Sequence, residues 1–61
     1  MSTSILIIDA NLADLERSKS ALARAGYSAE IAQSGAEGLA KASRTRPRVV
    51  MIDSFLPDRD W

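Results

Sequence analysis

The chain has 61 residues, of which 46% are apolar and 26% charged, so it is one small domain at most and too apolar for an unstructured tail. The absence of Cys and His excludes disulfides and thiolate metal sites as supports for so small a core. Eight basic and eight acidic side chains give zero net charge, which argues against a dedicated nucleic-acid binder. The apolar run over 5–8 is too short for a membrane span or a signal peptide, so we predict a cytoplasmic protein with no membrane partner.

The first half of the chain predicts a strand, a helix and a second strand. The continuous β-branched run over 5–8 is typical of a strand covered on both faces. Asn11 is a suitable N-cap for a helix over 12–25, which Gly26 can end in the left-handed conformation. Three leucines are predicted to face the core, and they are Leu12, Leu15 and Leu22. The alternating pattern over 27–32 then predicts a half-solvated edge strand.

The second half predicts another helix and a third strand. Ser34 and Glu37 have the spacing of a capping box, and Pro47 stops the helix that they open. The predicted inner face of this second helix consists of Ala36, Leu39, Ala40 and Ser43. A second continuous apolar run over 49–52 predicts a strand that is followed by Asp53.

This order of elements predicts an α/β fold, a βαβαβ unit with right-handed crossovers and a parallel sheet. The alternating second strand belongs at an edge and the first strand in the middle, so the predicted strand order is 2-1-3. The third strand is apolar on both faces although no later strand of this chain covers it. We therefore expect 1–61 to be half of a flavodoxin-like doubly wound domain, or a unit whose missing neighbour comes from another chain.

Asp9 and Asp53 each follow an apolar strand, and in a parallel sheet of this order the two strands are neighbours. A single Asp in such a place is most often a turn former or a helix cap. Two carboxylates at one crevice repel each other unless a cation lies between them, and Mg²⁺ prefers such oxygen ligands. The pair therefore indicates a metal-assisted phosphoryl site.

Short motifs with a family resemblance are distributed along the whole chain. They are ILIID at 5–9, AGY at 25–27, SGAEGL at 34–39, RPRVVMID at 46–53 and LPD at 56–58. Each motif is weak alone, but their joint spacing resembles the N-terminal half of the receiver domain of two-component response regulators.

The resemblance implies that Asp53 is the phosphoacceptor, which attacks the phosphoryl group of a kinase phosphohistidine. It also implies Mg²⁺ held by Asp9, Asp53 and the backbone carbonyl of Phe55. Ala10 stands where receivers usually have a second acidic residue, which weakens the expected metal site. The family's hydroxyl residue and lysine come from fourth and fifth strands that this sequence does not contain. We therefore expect Mg²⁺ binding and phosphorylation of this chain alone to be weak or absent.

The expected partners are proteins. The resemblance places a sensor kinase or phosphotransfer protein at the first helix, with Leu12 and Leu15 as contacts. Trp61, which stands where receivers usually have Gly, is either a packing residue or an aromatic anchor for another protein. The uncovered third strand predicts a homo-oligomer through Val50 and Met51. Basic side chains around the second helix end are expected to form a solvated rim rather than a nucleic-acid site, and they are Lys41, Arg44, Arg46 and Arg48.

Three functions remain open from the sequence. We favour a receiver-like signalling module, which is not an enzyme and which acts through protein contacts in a phosphorelay. The first alternative is a phosphoaccepting receiver that uses Asp53. The second is a structural half-domain that assembles with itself.

Overall fold

The computed structural model describes residues 3–53, and its elements follow the predicted order strand, helix, strand, helix, strand. Their bounds are Ser4–Ile8 for β1, Leu12–Arg24 for α1, Ser28–Ala32 for β2, Gly35–Thr45 for α2 and Val49–Ile52 for β3. The bounds of β3 agree with the prediction, those of β1, α1 and β2 differ from it by one residue, and α2 lies between the predicted capping box and Pro47.

The three strands form one parallel sheet in the order β2-β1-β3, which confirms the predicted topology of half a flavodoxin-like fold. β1 pairs with β2 from Ser4↔Ser28 onward and with β3 from Ile5↔Val49 onward. β1 occupies the centre because its side chains are apolar on both faces and are almost completely removed from water.

The central sheet separates two small cores. On the α1 side, Ile5, Ile7 and Leu15 pack together and are joined by partly buried Leu22 and Ile31. On the α2 side, Leu6, Ile8 and Ala32 form the second cluster, against which Ala42 packs. The alternation of side chains along β1 therefore divides its residues between two helices.

α1 begins as predicted, because the Asn11 side chain accepts a hydrogen bond from the Asp14 N–H at 3.0 Å. Gly26 follows the helix with φ +93°, a conformation that favours glycine. The prediction that Leu12 faces the core is wrong, since its side chain is 48% exposed. Leu12 is the first residue of α1, and the cluster on this side of the sheet includes Leu15 and Leu22 from the helix but not Leu12.

The predicted inner face of α2 is also wrong. Gly35 and Gly38 are the buried positions of this helix, whereas the four predicted residues, Ala36, Leu39, Ala40 and Ser43, are exposed. The reason is the close approach of the helix backbone to β1: a Cβ atom on Gly38 would overlap the Ile8 side chain. A pattern search that looks for apolar side chains overlooks a face made by glycine.

β3 is the least covered element of the described region. It packs on β1 and, within residues 3–53, on neither helix. Its four apolar side chains are therefore 40–46% exposed. The expectation that the third strand is uncovered holds for this part of the chain.

Candidate functional site

The two predicted site aspartates lie side by side at the carboxyl edge of the sheet. Asp9 continues the β1–β2 ladder, since its N–H donates to the Ala32 carbonyl at 3.0 Å. Asp53 continues the β1–β3 ladder, since its N–H donates to the Ile8 carbonyl at 2.9 Å. Both residues are half-buried and follow the last register pair, Ile8↔Ile52, on strands that are about 4.8 Å apart.

Asp9 also shapes the loop that leads into α1. Its Oδ1 atom accepts a hydrogen bond from the Asn11 N–H at 2.9 Å, while Asn11 in turn caps the helix. The turn-forming role that is common for such an Asp is therefore present here. It is compatible with a ligand role, because a carboxylate has about four acceptor positions.

Asp9 and Asp53 are the described side chains that would hold a Mg²⁺ ion at this edge. This ion usually keeps several waters and is bound through one or two carboxylates, which is what Asp9 and Asp53 offer. Ala10 is exposed and adds no oxygen ligand from its side chain. No group of three or more acidic, His or Cys side chains with metal-binding geometry occurs within residues 3–53. The predicted carbonyl ligand Phe55 and the predicted anchor Trp61 lie outside the described residues.

The residues predicted as partner contacts have very different exposure. Leu15 is fully buried against Ile5 and Ile7, so its assignment as a contact is corrected: it is a core residue, because it lies on the face of α1 that covers β1. Leu12, at the start of α1, is exposed. Val50 and Met51 are 41% and 46% exposed, and their side chains point to opposite faces of β3.

Sequence reasoning missed the role of Lys41, which it assigned to a solvated rim. The Lys41 Nζ atom donates a hydrogen bond to the Ile31 carbonyl of β2 and lies 3.2 Å from Glu37 Oε2. The other oxygen of Glu37 accepts the Gln33 N–H at 3.0 Å. The Gln33 N–H, followed by Lys41, holds the pKa of the Glu37 carboxyl below its usual value of 4.5. The i, i+4 spacing of Glu37 and Lys41 was the signal that could have indicated the ion pair.

A shallow pocket of about 190 Å³ lies at the amino end of the sheet, away from the two aspartates. Its lining includes Ser4, Ser28, Thr45 and Pro47. None of the residues predicted to bind metal or a partner lines this pocket. In the described part of the chain, neither helix is long and apolar enough to cross a bilayer.

Comparison with known proteins finds relatives among bacterial regulators. The chain is 44% identical over 55 residues to the acid tolerance regulatory protein ActR of Rhizobium meliloti (strain 1021), covering 90% of this chain and 28% of that protein. It is 37% identical over 60 residues to the response regulator MprA of Mycobacterium sp. (strain KMS), covering 98% of this chain and 26% of that protein. The chain thus spans about a quarter of the length of these relatives. No protein-family model and no solved structure matches it. These relatives, together with the fold, confirm that the chain resembles the N-terminal half of a response regulator receiver domain.

Proposed function

We propose that this chain is a receiver-like signalling module of a two-component phosphorelay. It works in the cytoplasm through contacts with a sensor kinase or a phosphotransfer protein, and it catalyses no reaction on a substrate of its own. The observation that carries this proposal is the placement of Asp9 and Asp53 on adjacent strand ends in a chain whose relatives include response regulators.

Phosphoryl transfer to the chain alone is expected to be slow. Charge that develops on a transferred phosphoryl group needs nearby cations or hydrogen-bond donors. Among the described residues, Arg46 and Arg48 precede β3 and so lie at the opposite end of that strand from Asp53. Lys41 is engaged with β2. Ala10 contributes no carboxylate for Mg²⁺, so the module is proposed to act mainly through its protein contacts.

Labelling with acetyl phosphate and Mg²⁺, followed by intact-mass spectrometry, tests the chemical part of this proposal. We expect slow, substoichiometric addition of a phosphoryl group, with no addition to an Asp53→Asn variant. Asp9→Asn keeps the shape of the site but removes one proposed Mg²⁺ ligand, so it should slow the labelling further without changing the residue that is labelled. Rapid, complete labelling that depends on Asp53 would contradict the proposal and favour the alternative of a phosphoaccepting receiver.

The contact part is tested by amide NMR shifts on adding a histidine phosphotransfer domain. We expect shifts concentrated at the start of α1, around exposed Leu12, and a weaker response in a Leu12→Ser variant. Ser20→Ala is a control on an exposed position farther along the same helix. Shifts confined to residues outside α1, or no shifts at millimolar concentrations of the phosphotransfer domain, would contradict this proposed surface.

A second candidate function, self-assembly through β3, is favoured by a different observation. Four consecutive apolar side chains of β3 are 40–46% exposed in the described structure, and a strand edge of this kind pairs readily with another strand. Sedimentation equilibrium is expected to show a concentration-dependent oligomer that Val50→Lys dissociates. A folded monomer that is unchanged across micromolar concentrations would contradict self-assembly.

A further inference from the structure

The outer edge of β2 carries backbone groups that point away from β1. The Ser28 N–H and the Ala32 carbonyl are both hydrogen-bonded to the segment that contains β1. In a parallel ladder every second residue turns both its N–H and its C=O toward a given neighbour, and Ser28 and Ala32 are four positions apart, so the two bonds agree. Residues of the other parity, Ile31 and Gln33 among them, therefore turn their backbone groups outward.

Two side chains of α2 bind these outward groups. The Lys41 Nζ atom donates to the Ile31 carbonyl, and Glu37 Oε1 accepts the Gln33 N–H at 3.0 Å. Lys41 Nζ and Glu37 Oε2 are 3.2 Å apart, so the two side chains form one ion pair. Both contacts join an ionised group to a backbone group, and such hydrogen bonds are roughly twice as strong as neutral ones.

The spacing of the two side chains along α2 matches the spacing of the two backbone groups along β2. Four residues of a helix rise about 6 Å, and two residues of a parallel strand rise about 6.6 Å. The order is reversed, since the earlier helix residue, Glu37, meets the later strand residue, Gln33. This reversal is what a helix that runs back across its strand requires.

The ion pair makes the bonds that a further strand would make. In a parallel sheet, one residue of the next strand would donate its N–H to the Ile31 carbonyl and accept the Gln33 N–H through its own carbonyl. Lys41 supplies the donor and Glu37 supplies the acceptor at these two positions. An antiparallel strand would also need the Ile31 carbonyl, so the pair obstructs both directions of approach.

We propose that the Glu37–Lys41 ion pair takes the place of one residue of a neighbouring strand and thereby closes the β2 edge to strand addition by a second copy of this chain. A strand that approached this edge would have to break two charge-assisted hydrogen bonds and replace them with neutral ones. Lysine at a sheet edge is a common means of preventing such pairing. The closure does not depend on phosphoryl transfer or on the two aspartates at the carboxyl edge.

The closure covers the carboxyl half of β2. One further helical turn leads from Lys41 to Thr45, whose hydroxyl donates to the Lys41 carbonyl at 2.8 Å and so bonds within its own helix. Ala29 has the same parity as Ile31 and turns its backbone groups outward at the amino half of the strand. Ala29 and the Ile31 N–H alone offer a ladder shorter than an ordinary strand.

Hydrogen exchange in the unsubstituted chain tests the bonds of the ion pair to β2. The N–H groups of Ala29 and Gln33 both turn outward, and that of Gln33 has Glu37 Oε1 as its acceptor. After correction for intrinsic rates, we expect the Gln33 N–H to exchange more slowly than the Ala29 N–H, by about 10-fold or more. Equal rates would overturn the proposal, and this measurement does not depend on the folding of any variant.

A spin label tests whether the ion pair keeps a second copy away. The chain has no Cys, so a nitroxide can be attached to Ser28→Cys at the exposed start of β2. Labelled copies are mixed with ¹⁵N-enriched unlabelled copies, and only pairing between copies broadens the ¹⁵N-coupled amide signals. Pairing through β2 would broaden the Ala29 and Ile31 amides most, whereas pairing through β3 would broaden the amides of β3 most.

The label is compared in three backgrounds that circular dichroism shows to be folded. Lys41→Met should raise the transverse relaxation of the Ala29 and Ile31 amides by about 2-fold or more over the unsubstituted chain at the same concentration. Lys19→Met, which removes the same charge from an exposed position of α1, should leave it unchanged. No rise in Lys41→Met, an equal rise in Lys19→Met, or pairing through β2 in the unsubstituted chain would each overturn the proposal.

Discussion

Replacing Gly38 with alanine isolates the contact that sets the position of α2. At an exposed helix position this substitution stabilises a protein by about 0.5–1 kcal/mol, because glycine loses more backbone entropy on folding. Here the new Cβ atom would overlap the Ile8 side chain and lie 2.8 Å from Ile8 Cγ1. The overlap therefore lowers the free energy of unfolding, whereas the entropy effect raises it.

The overlap is expected to decide the outcome. The Ile8 Cδ1 atom can rotate away, but Cγ1 is fixed by the stiff χ1 angle of a β-branched residue, so the strand or the helix has to move. Overpacking of this kind costs about 1–3 kcal/mol. After subtraction of the entropy gain, Gly38→Ala is expected to destabilise the fold by about 1 kcal/mol.

Urea unfolding at one fixed protein concentration measures this change. With an m value of about 1 kcal/mol/M, the midpoint is expected to fall by about 1 M. Ile8→Val, which lacks Cδ1 and costs about 0.5–1.5 kcal/mol alone, is the partner in a double-mutant cycle. In the Ile8→Val background the cost of Gly38→Ala should shrink by the part that is due to Cδ1, whereas the overlap with Cγ1, which valine retains, should remain. Equal effects in both backgrounds, or a stabilised Gly38→Ala variant, would refute the close-packing argument.

Three further changes test other features. Glu37→Gln removes a carboxyl whose pKa is lowered by the Gln33 N–H and by Lys41. The ionised carboxyl stabilises the fold above pH 4.5, and this stabilisation is lost as the pH falls through the lowered pKa. The variant should lose about 0.2–0.5 kcal/mol at pH 7 and show a flatter acid unfolding curve below pH 4.5, and an unchanged curve would argue against the ion pair. Mg²⁺ should bind the chain with a Kd of about 1 mM or weaker, about −4 kcal/mol, and Ala10→Asp should tighten it in an amide NMR titration. Saturation of the unsubstituted chain at tens of micromolar would show that the site is stronger than its two carboxylates indicate. Lys41→Met removes the side-chain donor to the Ile31 carbonyl and should increase the share of associated species in sedimentation velocity, whereas Lys41→Arg should not.

The helix starts could be predicted because they depend on residues close in sequence. Asn11 and Ser34 cap their helices through side-chain oxygens that reach a backbone N–H three residues later. Such a bond forms between residues close in sequence and depends little on the rest of the fold. One detail differs at α2, where Glu37 accepts the Gln33 N–H rather than the Ser34 N–H that a capping box would use.

The face of α2 could not be predicted from apolar periodicity, because it depends on how near two backbones approach. Gly38 permits that approach by having no side chain, and hydrophobicity scales give such a residue no weight. Leu39, the largest apolar residue of the helix, is 46% exposed as a result.

The candidate site also has a part that the sequence predicts and a part that only the structure reveals. Strand order alone predicts that Asp9 and Asp53 come to one edge, since parallel strands end together there. The bond from Lys41 to Ile31 depends on which carbonyls of β2 point away from β1, and this follows only from the observed register. Leu15 shows that a family resemblance does not settle the role of a single residue. The resemblance made Leu15 a contact for a partner protein, but its side chain is fully buried.

The central position of β1 has a consequence for the order of folding. β1 precedes both of its neighbours in the chain, and each neighbour is separated from it by at least one helix. During synthesis, therefore, the most deeply buried of the three strands leaves the ribosome before the other two and has nothing to pair with until β2 is complete. No two paired strands of this sheet are joined by a short turn, so a hairpin cannot nucleate the sheet. The chain has to close a loop that contains a whole helix before the first two strands can pair. We expect the nascent chain to expose residues 5–8, which are buried in the folded sheet, until β2 has been synthesised and can pair with them.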